Sequence, residues 1–317
     1  MKLFLVRFML LSSLVVAPFL FSAETERRWT SIEGKSFAGT LTSATEDAAS
    51  VRRSDGRPFD IPLTSLSETD RKYVARFLTD LKRANGLTES PFADRIAGEW
   101  VKVPKEEHGL VFQIYGTSKL KRLKEPFPLF VHLHGAGARA ADVDTGKVEI
   151  APQRLASEEF YDDFPCLIVV PLCPVETYWG DHNAALEGII DTLCDSLPID
   201  RDRIYLSGYS MGARGIGSLI ESRPNLYAAA LFADGEAKMS WVDTTDTALW
   251  FTFSGERDLE GAKKFADAYS AAGKIAKFEG FPDHTHNQIH WTLAKTEGVY
   301  EWCFSQVRSA NQEPTEK

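Results

Sequence analysis

The sequence predicts an α/β protein: a mostly parallel sheet with helices on both faces, preceded by a small β-barrel. Three observations carry that prediction. From about Trp100 onward, PLFVHLHGAG, CLIVVPLCP, RIYLSGYSMG, AAALFADGEA and ALWFTFSGERD are short apolar runs ending in Gly, Pro or a charged turn. Between them lie longer helical patterns such as Asn183 to Leu197 and Glu260 to Ala272, and strands that alternate with helices bury a parallel sheet under two layers. Ahead of them, Arg28 to Leu78 is polar and strand-like, with Lys35 to Thr42 and Ser50 to Arg53 as alternating segments and SDGRP as a hairpin signal.

In chain order, residues 1–23 read as a secretory signal: Lys2 and Arg7 stand ahead of and within an apolar run that ends in small residues. Cleavage is expected near Ala23 and an exported location follows, with an uncleaved membrane anchor as the alternative. No cysteine closely follows the apolar run, so lipid attachment is not expected. Residues 24–82 form the expected barrel and its exit helix, with Ser67 as a helix cap ahead of Asp70. Residues 83–98 are a polar linker, 99–310 the α/β domain and 311–317 a polar tail.

With 317 residues, 44% hydrophobic and 26% charged, the chain has room for one large domain and a small one. A formal charge of -9 without a basic cluster argues against a nucleic-acid partner. The four cysteines, Cys166, Cys173, Cys194 and Cys303, lack C-x-x-C spacing, which removes the common zinc and redox motifs. Export would permit a disulfide between Cys166 and Cys173; buried thiols are the other reading. No cofactor is expected, and Asp181 and His182 with Asp142 or Asp144 lack metal-ligand spacing.

Gly208-Tyr209-Ser210-Met211-Gly212 matches G-x-S-x-G, a tight strand-to-helix turn that presents a serine above the sheet. A hydroxyl at its ordinary pKa is a poor nucleophile, so a base and an electrophilic pocket must lie near. HLHGAGAR, after the strand PLFV, offers the bare amides of Gly135 and Ala136 to a developing oxyanion, and the Met211 amide is the second donor. His132 and His134 read as structural. In such a fold the acid and then the histidine follow the serine along the chain. The acid candidates are Asp234, Glu236, Asp243, Asp246, Glu256 and Asp258. Asp258, just past ALWFTF, stands at the expected place, while Glu256 shares its loop and Asp234 ends the preceding strand. KFEGFPDHTHNQIHW offers His284, His286 and His290 as bases. Trp179, after a strand end on the functional side, and Tyr209, inside the turn, are candidate substrate-pocket residues, with aromatic packing under a loop the other reading of Trp179.

Over Phe127 to Phe304 the ordered motifs HLHGAGAR, LIVVPLCP with Trp179, DRIYLSGYSMGARG, SGERD and FPDHTHNQIHW resemble the secreted α/β-hydrolases labelled predicted peptidases, close to the feruloyl esterases and polyhydroxybutyrate depolymerases. The resemblance implies the α/β-hydrolase fold, with Ser210 as nucleophile, Asp258 as the acid of the G-x-x-D turn and His286, before Asn287, as base. Two departures stand out: Thr285 replaces the usual glycine ahead of the histidine, and the loop after Asp258 is shorter than the family's. W-T-x-x-x-G-K-x-F and D-G-R-x-x-x-I-P-L-x-x-L-S-x-x-D-x-x-Y-V, in the first hundred residues, resemble the small β-barrel homology domain of endocytic adaptor proteins. That likeness implies a binding or spacer module without catalytic residues, one that could dock to a surface or polymer.

The function these readings favour is an exported serine hydrolase that cleaves a small-molecule or polymer-linked carboxylic ester through an acyl-enzyme. A serine peptidase using the same constellation and a noncatalytic binding protein with a degenerate hydrolase domain are the alternatives.

Overall fold

The computed structural model describes residues 26–45, 47–53, 56–123, 125–139, 148–255 and 259–308. The proposed signal segment and the 311–317 tail lie outside these residues. Among the described residues, no helix is long and apolar enough to cross a membrane. The chain divides into two compact units, Met1–Thr79 and Asp80–Lys317.

In the first unit, the alternating segments pair as an antiparallel sheet in the order β1 (Arg27–Thr30), β2 (Ser36–Ala44), β3 (Ala48–Arg53), β4 (Pro58–Pro62). Its inward residues Trp29, Leu41, Ala49 and Val51 pack with Leu66 and Val74. Helix α1 (Glu68–Glu89) opens where Ser67 was expected to cap it: Ser67 Oγ accepts the Asp70 N–H at 3.2 Å. The Asp70 carboxylate also takes Arg27 Nη2 at 2.6 Å and the Thr30 N–H at 2.7 Å, which ties the helix start to β1. The helix continues to Glu89, so the first part of the expected linker is helical; its alanines and long side chains favour helix over the single Gly86.

In the second unit, an eight-stranded sheet runs in the order β12-β11-β10-β9-β7-β8-β6-β5. Its strands are β5 (Val101–Val103), β6 (Phe112–Tyr115), β7 (Phe127–Leu133), β8 (Leu167–Pro171), β9 (Ile199–Tyr209), β10 (Ala229–Ala233), β11 (Ala248–Ser254) and β12 (Ala276–Phe281). Six of them pair in parallel, and β6 and β5 add an antiparallel edge. The helices are α2 (Lys105–His108), α3 (Ile150–Leu155), α4 (Glu158–Tyr161), α5 (Asn183–Ser196), α6 (Met211–Ser222), α7 (Trp241–Thr244), α8 (Leu259–Ala271), α9 (His286–Lys295) and α10 (Val299–Ser305).

Continuous apolar strands can be buried on both faces, and the alternation of their side chains feeds two separate cores. Leu129 and Val131 of β7, Leu206 of β9 and Phe251 of β11 meet α5, α6 and α8 through Ile190, Ile216 and Phe265. Phe130, Tyr205 and Trp250, one residue out of phase, meet α3, α9 and α10 through Leu155, Ile289 and Tyr300. The sheet is therefore sandwiched, as the alternation of strands and helices predicts.

The same partition answers the cysteine question. Cys166 lies in one core and Cys173 in the other, so the sheet separates them. All four thiols are free and buried. Burial pushes the Cys194 thiol up to about 11, the reverse of what a reactive thiolate needs.

Candidate active site

Strand β9 runs into Ser210 and the chain turns at once into α6. Ser210 holds φ 54 and ψ -110, a conformation costing a non-glycine residue on the order of 1–3 kcal/mol. Neighbouring backbone holds it there: its N–H donates to the Ala233 carbonyl at 2.9 Å, and its own carbonyl accepts the Arg214 N–H at 3.2 Å. Both flanking glycines are sterically required. A Cβ at Gly208 would stand 2.6 Å from the Gly212 carbonyl, and one at Gly212 would stand 1.7 Å from the Leu133 carbonyl oxygen. This close approach seats the first turn of α6 against the end of β7.

Ser210 Oγ lies 2.8 Å from His286 Nε2. His286 opens α9, and Thr285, the departure from the family pattern, has a local reason to be there. Its side chain and that of Gln288 form a capping box, with the Thr285 N–H donating to Gln288 Oε1 at 2.8 Å. Tyr209 secures the same turn from the sheet side by donating its hydroxyl to the His286 carbonyl at 3.0 Å, with the two rings 5.2 Å apart. Tyr209, half-buried, thus lies against His286.

On its other side, His286 Nδ1 donates to Asp234 Oδ2 at 2.6 Å. Asp234 directly follows β10, with a side chain fully shielded from solvent and φ 53, a left-handed conformation that Asp tolerates better than most residues. Its carboxylate also accepts the Ser254 N–H at 2.7 Å and the Ser254 hydroxyl at 2.8 Å, both from the end of β11. Here the expectation of Asp258 needs correction: the acceptor at His286 Nδ1 is Asp234, and the side chain of Asp258 lies outside the described residues. Sheet order supplies the reason. Strand β10 lies directly beside the serine's strand β9, and β11 is one place further away.

Of the other histidines, His284 Nδ1 pairs with Thr292 Oγ1 at 2.6 Å, on the far side of α9's first turn, and its ring stacks on Phe281. His290 packs at a tilt against Tyr209, ring centres 4.9 Å apart, and burial lowers its pKa. His134 accepts the Cys173 N–H at Nε2, 3.0 Å, and therefore donates from Nδ1 to the Gly135 carbonyl at 2.8 Å. Burial lowers the His134 pKa below its ordinary value of about 6.5. The unfolded chain then binds the extra proton, so this stabilisation is complete above about pH 6.5 and is lost as pH falls toward the lowered folded value. The thermal midpoint is expected to drop from pH 7 to pH 5, with a shallower slope in His134→Asn; equal slopes in a pH series of melts would refute the attribution.

The expected oxyanion donors divide. The Gly135 N–H, one of the expected donors, is committed to Glu149 Oε1 at 2.9 Å and points away from the role assigned to it. The N–H groups of Ala136 and Met211 have no acceptor among the described residues. Ala136 is exposed, and Met211 is the first residue of α6, where helix amides lack intrahelical partners and the helix dipole favours negative charge. Trp179 also needs correction: it is fully buried, donates its indole N–H to the His134 carbonyl at 3.0 Å and packs edge-on to that ring. Its contacts are with the chain around His134, as expected of an aromatic packed under a loop. The exposed aromatic at this rim is Tyr178, with Arg139 5.6 Å above its ring.

No protein-family model matches the chain, and no curated protein does. Among solved structures, a thermostable esterase superposes with a TM-score of 0.56 at 21% identity, over 88% of this chain and 76% of that one. The larger unit has the α/β-hydrolase fold. Two more distant structures are an S-formylglutathione hydrolase from Staphylococcus aureus and an esterase from Thermogutta terrifontis. They are each 14% identical over 65% of this chain, cover 96% and 95% of their own lengths, and have TM-scores of 0.47 and 0.44. At these identities the likeness speaks for the fold alone. The larger unit places Ser210 at the carboxyl ends of its strands, where open α/β sheets bind ligands.

Proposed function

We propose that the hydrolase unit is a serine hydrolase acting on carboxylic esters through an acyl-enzyme, with Ser210 as nucleophile, His286 as base and Asp234 as the orienting acid. The observation that carries this reading is the unbroken hydrogen-bonded series from Ser210 Oγ through His286 to Asp234, at 2.8 and 2.6 Å. In it, His286 Nε2 takes the hydroxyl proton as Oγ attacks the carbonyl carbon and later delivers that proton to the departing alkoxide. The Ala136 and Met211 amides receive the oxyanion, each worth about 3 kcal/mol in the transition state. Water, activated by the same imidazole, then releases the acid.

The thermostable esterase that shares the fold supports an ester as substrate. The apolar, signal-like first 23 residues support export, and the N-terminal four-stranded sheet is assigned to docking on a surface or polymer carrying the ester. The test is turnover of a p-nitrophenyl ester beside the matched p-nitroanilide. Hydrolysis of the ester with the anilide slower by at least 100-fold is expected. Comparable rates would make the protein a peptidase, and no turnover of either would reject hydrolysis.

A further inference from the structure

Beneath the oxyanion loop lies a polar clasp that the triad chemistry does not use. His132, the penultimate residue of β7, is 2% exposed and donates from Nε2 to Glu149 Oε2 at 2.9 Å, while its Nδ1 meets Ser207 Oγ of β9 at 3.1 Å. Glu149, immediately before α3, places its second oxygen on the Gly135 N–H at 2.9 Å. One carboxylate thus ties together a helix start, a strand end and the first amide of the loop that carries Ala136. Burial pushes this carboxyl up, but the hydrogen bonds from His132 and Gly135 outweigh burial and keep it below the ordinary carboxylate range, so it accepts from both.

A peptide amide that must meet a developing oxyanion needs its plane fixed, and the plane of the Ala136 amide begins at the Gly135 carbonyl. Gly135 is held at both ends: its N–H by Glu149 and its carbonyl by His134 Nδ1 at 2.8 Å. The Tyr209 ring closes the remaining side, since a Cβ on Gly135 would lie 2.6 Å from it. Resting on the serine-hydrolase reading above, we infer that Glu149 is a positioning residue, which aims the Ala136 amide at the oxyanion by clasping the Gly135 N–H from below. It touches neither substrate nor reacting atoms.

The clasp requires an acceptor oxygen at Gly135 and does not require the charge. Glu149→Gln keeps such an oxygen and can turn its amide toward His132, whose ring then donates to Ser207. Glu149→Ala removes the oxygen, and Glu149→Asp keeps the charge but shortens its reach. For wild type and the three variants, kcat and KM on a p-nitrophenyl ester are measured together with amide hydrogen exchange of residues 134–139. Expected is a roughly 10- to 100-fold lower kcat with KM within twofold in the Ala and Asp variants, accompanied by faster exchange. The Gln variant is expected to stay within about threefold of wild type on both readouts. Wild-type kcat and exchange in Glu149→Ala, or in Glu149→Asp if the Ala variant does not fold, would overturn the inference. So would a Gln variant that falls as far as the others. If the wild-type chain turns over no ester and its Ser210 takes no fluorophosphonate, the hydrolase reading fails, and the exchange comparison still decides whether Glu149 holds the loop.

Discussion

Ser210→Ala is expected to lower kcat on an activated ester by up to about 10⁶-fold while lowering the thermal midpoint by only about 2–4 °C. The size follows from removing a member of a unit whose parts act together: without Oγ no acyl-enzyme forms, and only the oxyanion donors and binding remain. The stability expectation follows from the backbone. Ser210 sits at φ 54 because the Ala233 carbonyl and the collision-free Gly208 and Gly212 hold it there, and among the described residues its hydroxyl bonds only to His286. Alanine loses that one half-buried hydrogen bond, worth about 1 kcal/mol. Initial rates and a melt on the same preparation check both halves. A variant within tenfold of wild type would remove Ser210 from the chemistry.

Asp234→Asn is expected to reduce kcat by about 10⁴-fold, whereas Asp258→Asn is expected to stay within a few-fold of wild type. The amide cannot settle harmlessly. Ser254 N–H donates to Asp234 Oδ1 at 2.7 Å, so the asparagine oxygen is drawn to that side and its NH₂ faces His286 Nδ1. Two donors cannot face each other, so the ring moves its proton to Nε2 and presents a donor to Ser210 where an acceptor is needed. An equivalent tautomer error in serine proteases costs about that factor. Steady-state kinetics of the two variants in parallel distinguishes them, and the opposite ranking would return the acid to the β11 loop.

The contrast between these aspartates shows where a sequence reading stops. In the sequence each follows an apolar run that reads as a strand, so local pattern treats them alike. What separates them is that β10 lies beside β9, and strand order is a property of the closed sheet. Ser210 was legible because its requirement is local: two glycines, a strand before and a helix after. His286 was not separable from His284 and His290 by residue type, and only the family resemblance singled it out. A purely local signal was nevertheless present. Thr285 and Gln288 have capping-box spacing, which puts His286 in the first turn of a helix pointing at the serine.

The candidate oxyanion loop shows the same limit at finer scale. Gly135 and Ala136 are equivalent as bare amides, and nothing nearby in sequence announces that Glu149 claims the first of them. For Trp179 the sequence left pocket lining and packing under a loop open for a similar reason; the absence of a side chain at Gly215 lets it sink into the core beside α6, where a Cβ would stand 2.5 Å from it. The helices were easier. The expected spans Asn183 to Leu197 and Glu260 to Ala272 each fall within one residue of α5 and α8 at both ends, because amphipathic period and burial agree there. The antiparallel edge strands β5 and β6, three and four residues long, are too short to show any period.

The measurement that tests the central claim most directly is covalent labelling by a fluorophosphonate, followed by peptide mapping. The account predicts one adduct per chain, on Ser210, formed rapidly in the wild type and slowed by orders of magnitude in His286→Ala. Full labelling at unchanged rate without that imidazole, or an ester-hydrolysing chain whose adduct maps to another residue, would contradict it.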